Sequence, residues 1–242
     1  MFESEIIKIE NYFNSIEMEI IDKNAFQNNL KSLINLIHKN YEKGNSPATS
    51  TNFSFRIEVK DKNQLVNKNF FIMTRSGIDK EFCNEKDFLI VNEKGEVLFN
   101  QEKKHKSSAE SPLHLGIYNL FENINFVVHS HSVLSSVLSR IYLKYGKIIF
   151  DGYELQKGIK GFETHDIKLS LPIVENTQDM NFLAKKLPEI FISNNPSPYA
   201  LLLSGHGIYV WGDSYEDAKR HLETYEFLLN ALYIESSINI NK

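Results

Sequence analysis

Two histidines, His129 and His131, follow a short apolar run at residues 124–128 and are separated by a single serine. An apolar run of this length is typical of a buried strand. Because side chains two apart in a strand point to the same face, the two imidazoles are expected to face one point near the sheet edge. Imidazole binds several divalent metals, so the spacing predicts a metal site without choosing the metal. A chance His-x-His on a surface strand is the alternative at this stage.

A metal site needs a third ligand, and His206 is the best candidate. It lies between Gly205 and Gly207, at the junction of two apolar segments, and glycine permits both an unusual turn and a close approach. His165 is the second candidate. Three other histidines lie in helical or Lys-rich stretches, where an imidazole is more often solvated or internally bonded: His38, His105 and His221. Three histidines with one open position describe a catalytic rather than a structural zinc site.

The composition excludes several classes of function. The chain has 242 residues and a formal charge of -4, which argues against a general nucleic-acid binder. No stretch approaches the roughly 18 apolar residues of a membrane-spanning helix, and the acidic start does not resemble a secretory signal. Cys83 is the only cysteine, so an internal disulfide is impossible. We therefore expect a cytoplasmic protein that acts on a small molecule, with neither nucleic acid nor a membrane as partner.

The histidines are carried by alternating helical and extended patterns. Residues 1–20 are predicted to form a helical extension, and residues 21–242 a single catalytic domain. A helix should begin after Asp22, a favourable N-cap, because apolar residues follow it three or four apart. Short strands are predicted at residues 53–59, 69–74, 88–92, 97–99, 124–128, 147–150, 169–174, 199–204 and 207–211. Further helices are predicted at residues 112–121, from 133 onwards, at 178–191 and at 214–235. This mixture predicts a layered α/β domain.

Three segments resemble the class II aldolase and adducin-head family: residues 128–132, 205–212 and 216–223. Residues 171–177 are similar to the dehydratase branch of the family rather than to its sugar-phosphate aldolases. The resemblance covers residues 25–235. It implies an α/β/α fold with a central, largely antiparallel sheet. It also implies one zinc ion bound by His129, His131 and His206, and a homotetramer with sites near the subunit interfaces.

The resemblance further implies a reaction. The dehydratase branch removes water from 5-methylthioribulose 1-phosphate, giving 2,3-diketo-5-methylthiopentyl 1-phosphate in methionine salvage. Glu154, just before Lys157-Gly158-Ile159, matches its acid/base glutamate, although without the family it would be a solvated surface group. Glu110 matches the acid/base residue of the aldolases, and otherwise is a glutamate favoured at a helix start. The alternatives are an aldolase or epimerase that uses the same metal site, and a non-enzymatic module like the adducin heads.

A phosphate site is also implied by the resemblance. It would be formed by short polar loops, whose hydroxyl and backbone N–H groups can bind an anion without a large positive surface. The matching residues are Asn52, Ser76, Gly77, Ser107 and Ser108, with Lys80 as an added charge. Taken singly, these are ordinary turn residues. Thr51 occupies a position that is often glycine in the family, and a β-branched residue resists positive φ, so we expect a different loop shape there.

Overall fold

Six α-helices and ten β-strands form the part of the chain that the computed structural model describes, which is residues 2–63, 66–100, 105–192 and 198–240. The helices are α1 Phe2–Ser15, α2 Lys23–Glu42, α3 Ser111–Leu120, α4 Val133–Tyr142, α5 Met180–Phe191 and α6 Tyr215–Ile240. The strands are β1 Met18–Ile20, β2 Asn52–Asp61, β3 Asn67–Thr74, β4 Phe88–Val91, β5 Val97–Phe99, β6 Phe126–Ser130, β7 Lys147–Phe150, β8 Leu169–Val174, β9 Ala200–Leu203 and β10 Gly207–Gly212.

The strands make one sheet in the order β5-β4-β3-β2-β6-β10-β9-β8-β7, and β1 pairs with the far end of β2. The pairs are antiparallel except β8 with β9, which run parallel. The prediction of a central, largely antiparallel sheet is therefore confirmed. Strands β6 and β10 are neighbours in the middle of this sheet, so the two histidine-bearing segments meet there.

The sheet separates two hydrophobic cores, which gives the predicted α/β/α layers. Successive side chains of β6 alternate between them: Phe126 and Val128 join the core that includes residues of α1, α2, α4 and α6. Val127 joins the other core, with residues of α3 and α5. This alternation is the period-two geometry of a strand that is buried on both faces. It fixes the direction in which each histidine that follows must point.

The first 20 residues contribute to the same structure. Ile6, Ile9 and Phe13 of α1 are buried in the larger core, where the Phe13 ring packs edge-on against Phe70 at 5.3 Å. Strand β1, which the sequence does not predict, pairs residues 18–20 with residues 59–61. Three residues are too few for a recognisable pattern, so this strand depends on its partner. Helix α6 continues to Ile240, beyond the predicted end at residue 235.

Side-chain caps fix the helices next to the site. Asp22 Oδ1 accepts a hydrogen bond from the Ala25 amide at 2.8 Å, as predicted for the start of α2. Ser132 accepts one from the Ser135 amide at 3.2 Å, so α4 begins directly after His131. None of the described helices has both the length and the apolar composition needed to cross a membrane.

Candidate metal centre and its cavity

His129 is held rigidly in the middle of the sheet. It is fully buried on β6 and lies opposite Asn52 of β2 on one side and Tyr209 of β10 on the other. The Tyr209 ring stacks on the imidazole, with centroids 4.0 Å apart and planes 12° from parallel. Nδ1 of His129 donates to the Ile208 carbonyl oxygen at 3.0 Å, so the lone pair is at Nε2. Such a bond fixes the tautomer and the orientation of a metal-binding histidine.

The other two predicted ligands face the same point. Nε2 of His129 lies 2.6 Å from Nε2 of His131 and 3.3 Å from Nε2 of His206. One Oε atom of Glu110 lies 2.8 Å from Nε2 of His206, and the four ligand atoms all fall within 4.8 Å of one another. A shared cation stabilises nitrogen lone pairs directed at each other across such distances. Three imidazoles and a carboxylate suit a divalent metal such as zinc.

A sharp turn between β9 and β10 positions His206. Gly205 has φ 69°, in the left-handed region that glycine adopts without strain. Gly207 is in close contact with β6, because a Cβ atom there would lie 2.2 Å from the Ser130 carbonyl oxygen. Nδ1 of His206 donates to Asn176 Oδ1 at 3.2 Å, which leaves Nε2 directed at the cluster. The two flanking glycines therefore serve the turn and the close approach that the sequence predicts.

The charge states in the cluster suit metal binding. Burial is the largest effect on His129 and His131, and it lowers the pKa of His129 well below the usual value and that of His131 to about 4. Neutral imidazoles are the form that binds a metal. Burial opposes ionisation of Glu110, but the close contacts with the His206 and His129 rings and the hydrogen bond from the Asn52 amide group outweigh it. The pKa of Glu110 is consequently held well below its ordinary range, so this group is a carboxylate.

A cavity of about 450 Å³ opens above the cluster. Of the predicted phosphate-binding residues, four line it: Asn52, Ser76, Gly77 and Ser108. Backbone contacts join their loops, because Arg75 pairs with Ser107 in a β-bridge and the Ser76 amide donates to the Lys106 carbonyl oxygen at 2.9 Å. The Asn52 amide group also donates to Ser108 Oγ at 3.2 Å. The structure therefore brings the predicted polar loops together beside the histidine cluster.

Two predicted phosphate-site residues lie elsewhere. Ser107 is hydrogen-bonded to Ser111, with Oγ atoms 2.5 Å apart, and lines a neighbouring groove. Lys80 is 1% exposed and is not among the residues that line the cavity, and its Nζ donates to the Ile78 carbonyl oxygen at 3.2 Å. Burial lowers the pKa of Lys80 to about 8. The lysine is therefore a buried, internally bonded group rather than a free charge in the cavity.

The loop that carries Thr51 adopts the conformation that glycine would favour. Thr51 has φ 70°, which costs a β-branched residue on the order of 1 kcal/mol or more. Its Oγ1 donates to Ser46 Oγ at 3.0 Å within the same loop, which offsets part of that cost. Asn52 therefore still reaches Glu110. The presence of threonine instead of glycine at position 51 does not remove this asparagine from the site.

Glu154 is not brought into the cavity of its own chain. It begins an exposed 3₁₀ helix at Glu154–Gly158, and 71% of its side-chain surface is exposed. The carboxylate binds Lys157 Nζ at 2.6 Å and His165 Nδ1 at 3.2 Å. His165, the second candidate for the third ligand, is thereby also outside the cluster that Glu110, His129, His131 and His206 form.

Two of the histidines excluded from the metal site have internal partners, as their helical positions predict. Nε2 of His38 donates to the Cys83 carbonyl oxygen at 2.8 Å. Nδ1 of His221 donates to the Trp211 carbonyl oxygen at 2.8 Å, and Nε2 accepts from the Lys160 amide at 3.1 Å. Each imidazole links its own α-helix to a neighbouring segment through hydrogen bonds, and neither belongs to the cluster.

Some residues that line the cavity escape the sequence analysis: Arg75, Asn176, Gln178 and Met180. A topological signal accounts for Asn176. Strands β8 and β9 are parallel, with Val174 opposite Leu203, so the residues that follow both strands emerge at one edge of the sheet. Asn176 and His206 follow these strands and are hydrogen-bonded there. The sequence shows both strands but not that they are parallel neighbours.

A mixed sheet between two helical layers, with three histidines and a glutamate converging on β6 and β10, defines an α/β protein of the class II aldolase type. Residues 31–233 match the family model for the class II aldolase and adducin N-terminal domain. The chain belongs to this family.

Relatives that are 37% identical support this membership, and solved structures share the fold. A methylthioribulose-1-phosphate dehydratase from Stenotrophomonas maltophilia is 37% identical over 198 residues, which cover 82% of this chain and 86% of that protein. One from Picosynechococcus is 37% identical over 203 residues, which cover 84% and 90%. Among solved structures, an L-fuculose 1-phosphate aldolase aligns with a TM-score of 0.66 at 18% identity, covering 87% of both chains. The L-fuculose-1-phosphate aldolase of Thermus thermophilus gives 0.65 at 21%, covering 87% and 96%.

Proposed function

We propose that this chain is a zinc-dependent hydro-lyase that converts 5-methylthioribulose 1-phosphate into 2,3-diketo-5-methylthiopentyl 1-phosphate, in methionine salvage. The observation that carries the proposal is the convergence of four metal-binding groups beside a cavity with polar loops. It is supported by the names of relatives that are 37% identical over more than four fifths of the chain.

His129, His131 and His206 are the proposed zinc ligands. A bound zinc ion would act as a Lewis acid and stabilise negative charge that develops on the substrate oxygens. The Glu110 carboxylate lies 2.8 Å from Nε2 of His206, close enough to be the fourth ligand. If it is not a ligand, the fourth position is open to substrate. The chain's own contribution is to hold His129 in a fixed orientation through Ile208 and the stacked Tyr209 ring, and His206 through Asn176.

Removal of water needs a base for the C3 proton and an acid for the departing C4 hydroxyl group. Within one subunit, Glu110 is the carboxylate that borders the cavity, and Asn52 orients it. General acid/base catalysis of this kind contributes roughly 10²–10⁴-fold in rate. Glu154 remains the main acid/base residue that we propose from the family resemblance. Its exposed position means that it would have to act in the cavity of a neighbouring subunit.

A homotetramer is accordingly part of the proposal. Several large apolar side chains of α4 and α6 are exposed on the described surface: Val133, Val137, Ile141, Phe227, Ile234 and Ile238. Apolar surface of this extent is typical of faces that other subunits cover. We further propose a cytoplasmic location, with no nucleic-acid or membrane partner.

The phosphate of the substrate would occupy the polar loops. Ser76 and Ser108 offer hydroxyl donors there, and Asn52 lies beside them with its amide group bonded to Ser108 and Glu110. Gly77, with φ 73°, leaves its surroundings open because no atom lies within 4 Å of the position of an added Cβ. Short loops of this kind bind anions through hydroxyl and amide groups. They would fix the phosphate end of the chain and so place the reacting carbons beside the histidines.

A substrate comparison tests the function. The purified, zinc-loaded protein is offered 5-methylthioribulose 1-phosphate, L-fuculose 1-phosphate and L-ribulose 5-phosphate, and the products are identified by mass spectrometry. We expect loss of one water from the first substrate and no carbon–carbon cleavage or epimerisation of the others. Cleavage or epimerisation in place of dehydration would instead establish the alternative, an aldolase or epimerase. A protein that cannot be loaded with zinc and turns over none of the three would instead be a binding module.

A further inference from the structure

The cavity contains one strongly basic side chain among the described residues that line it, and that side chain is Arg75. Lys80, the cation expected from the sequence, is buried and bonded to a backbone carbonyl group. The remaining polar groups of the loops are neutral hydroxyl and amide groups. A phosphate monoester carries nearly two negative charges at neutral pH, and the carboxylate of Glu110 borders the same cavity. A cation on the loop side of the cavity would therefore strengthen the binding of a phosphate here.

Arg75 is held in place for such a role. Its Nε donates to Asp87 Oδ1 at 2.8 Å, its Nη2 lies 2.7 Å from the same oxygen, and its Nη1 donates to the Ser76 carbonyl oxygen at 3.2 Å. A guanidinium group has five N–H donors, so these contacts leave two, one on each Nη. About a quarter of the side chain, 24%, remains exposed. The group is therefore fixed by Asp87 and still accessible from the cavity.

The backbone around Arg75 is equally well determined. Its amide donates to the Asp87 carbonyl oxygen at 2.8 Å, and the residue pairs with Ser107 in the β-bridge that joins two of the polar loops. Little conformational entropy would be lost when the side chain binds a ligand, because it is already ordered. An ordered guanidinium is also the geometry that binds phosphate oxygens with two parallel hydrogen bonds.

We propose that Arg75 is the charged anchor for the phosphate group of the substrate and that Asp87 positions it. The identity of the phosphate ester rests on the proposed function. The binding of phosphate by Arg75 does not depend on it. The structural alternative is that the Arg75–Asp87 ion pair only joins residue 75 to the turn before β4. In that case the charge of Arg75 would be irrelevant to any anion.

Isothermal titration of the zinc-loaded, full-length protein with inorganic phosphate tests the proposal. We expect Arg75→Gln to weaken phosphate binding by about 10- to 100-fold, the loss typical of a charge-assisted hydrogen-bonded contact. Arg75→Lys should recover part of the affinity, because it restores a point charge without the planar pair of donors. The matched control is Lys106→Gln, which removes an exposed cation from the adjoining loop and should change the affinity by less than about twofold.

Asp87→Asn separates the two explanations, because it weakens the ion pair and keeps the cation. We expect this variant to lose thermal stability and to bind phosphate about two- to fivefold more weakly than the wild-type protein, a smaller loss than in Arg75→Gln, because the Arg75 charge remains but its side chain is held less firmly. An Asp87→Asn variant that loses as much phosphate affinity as Arg75→Gln would overturn the proposal in favour of the purely structural role. Wild-type affinity in Arg75→Gln, or no phosphate binding by the wild-type protein, would overturn it as well.

Kinetics distinguish this inference from the proposed function. With 5-methylthioribulose 1-phosphate, Arg75→Gln should raise KM by a similar factor and change kcat much less, because a phosphate contact is made in both ground and transition states. If the wild-type protein binds phosphate through Arg75 but does not dehydrate this substrate, the proposed function fails and the anchor stands. If dehydration proceeds and phosphate affinity is independent of Arg75, the proposed function stands and the phosphate anchor fails.

Discussion

Replacement of Gly207 by alanine tests how closely the metal centre depends on the spacing between β6 and β10. The added Cβ would lie 2.2 Å from the Ser130 carbonyl oxygen, 3.1 Å from the His131 ring and 3.2 Å from the His129 ring. Carbon–oxygen contacts are normally no shorter than about 3.3 Å, so the strands must separate by about 1 Å at this point. Overpacking of this kind costs about 1–3 kcal/mol of stability.

The same displacement moves both imidazoles relative to His206, which lies on the other side of Gly207. Disturbance of the groups that orient metal ligands typically lowers metal affinity by about 10- to 100-fold. Zinc affinity is measured by competition with a chromophoric chelator, and stability of the metal-free protein by urea unfolding. Zinc affinity equal to that of the wild-type protein would refute the reasoning, whatever the loss of stability.

Gly212→Ala provides the matched control on the same strand. Its Cβ would lie 2.4 Å from the Ala218 amide nitrogen, a comparable conflict with backbone, at the opposite end of β10. We expect a similar loss of stability with zinc affinity unchanged within about threefold, which is well inside the effect of disturbing an orienting group. A loss of zinc affinity equal to that of Gly207→Ala would show that the effect is a general consequence of weakening β10.

Three further predictions concern single side chains. His206→Ala should leave the purified protein without bound metal, because two imidazoles remain of the three; full metal occupancy by elemental analysis would reject this ligand assignment. Glu154→Gln should retain zinc but lose turnover by roughly 10²-fold or more; wild-type turnover would leave Glu110 as the acid/base carboxylate. Glu226→Gln should remove a pH dependence of stability. Burial raises the pKa of Glu226 to about 7, against an ordinary value of 4.5, and its Oε1 atom is buried without a hydrogen-bond partner. Since ionisation is disfavoured in the folded state, the free energy of unfolding of the wild-type protein should fall as pH rises between these two values. Urea unfolding should show that the Gln variant lacks this fall. The same pH dependence in both proteins would contradict the prediction.

The convergence of the three histidines was predictable because the sequence signals for it are local. His129 lies on β6 and His131 directly follows its last residue, and the glycines around His206 predict a tight turn and a close approach. The capped start of α2 at Asp22 was equally visible in the sequence. Each of these features depends on residues within a few positions of one another, where the periodicity of strands and the capping preferences of helices are decisive.

Features that depend on pairing between distant segments were not predictable from local patterns. Strand β1 exists only through its contact with residues 59–61, and Asn176 reaches His206 only because β8 and β9 are parallel. The sequence predicts Lys80 as the cation beside the cavity, whereas the structure has Arg75 there. This difference also depends on contacts between distant segments. Both are basic residues near one turn, and only the packing of the loop decides which one is buried.

Reconstitution of metal-free protein with zinc tests the central claim most directly. The protein is stripped with a chelator, zinc is added in known ratios to the chain, and dehydration of 5-methylthioribulose 1-phosphate is followed at each ratio. We predict that activity is absent without metal, rises linearly with added zinc and reaches its maximum at one ion per chain. Activity that survives complete removal of the metal, or a fully zinc-loaded protein that leaves this substrate unchanged, would contradict the account.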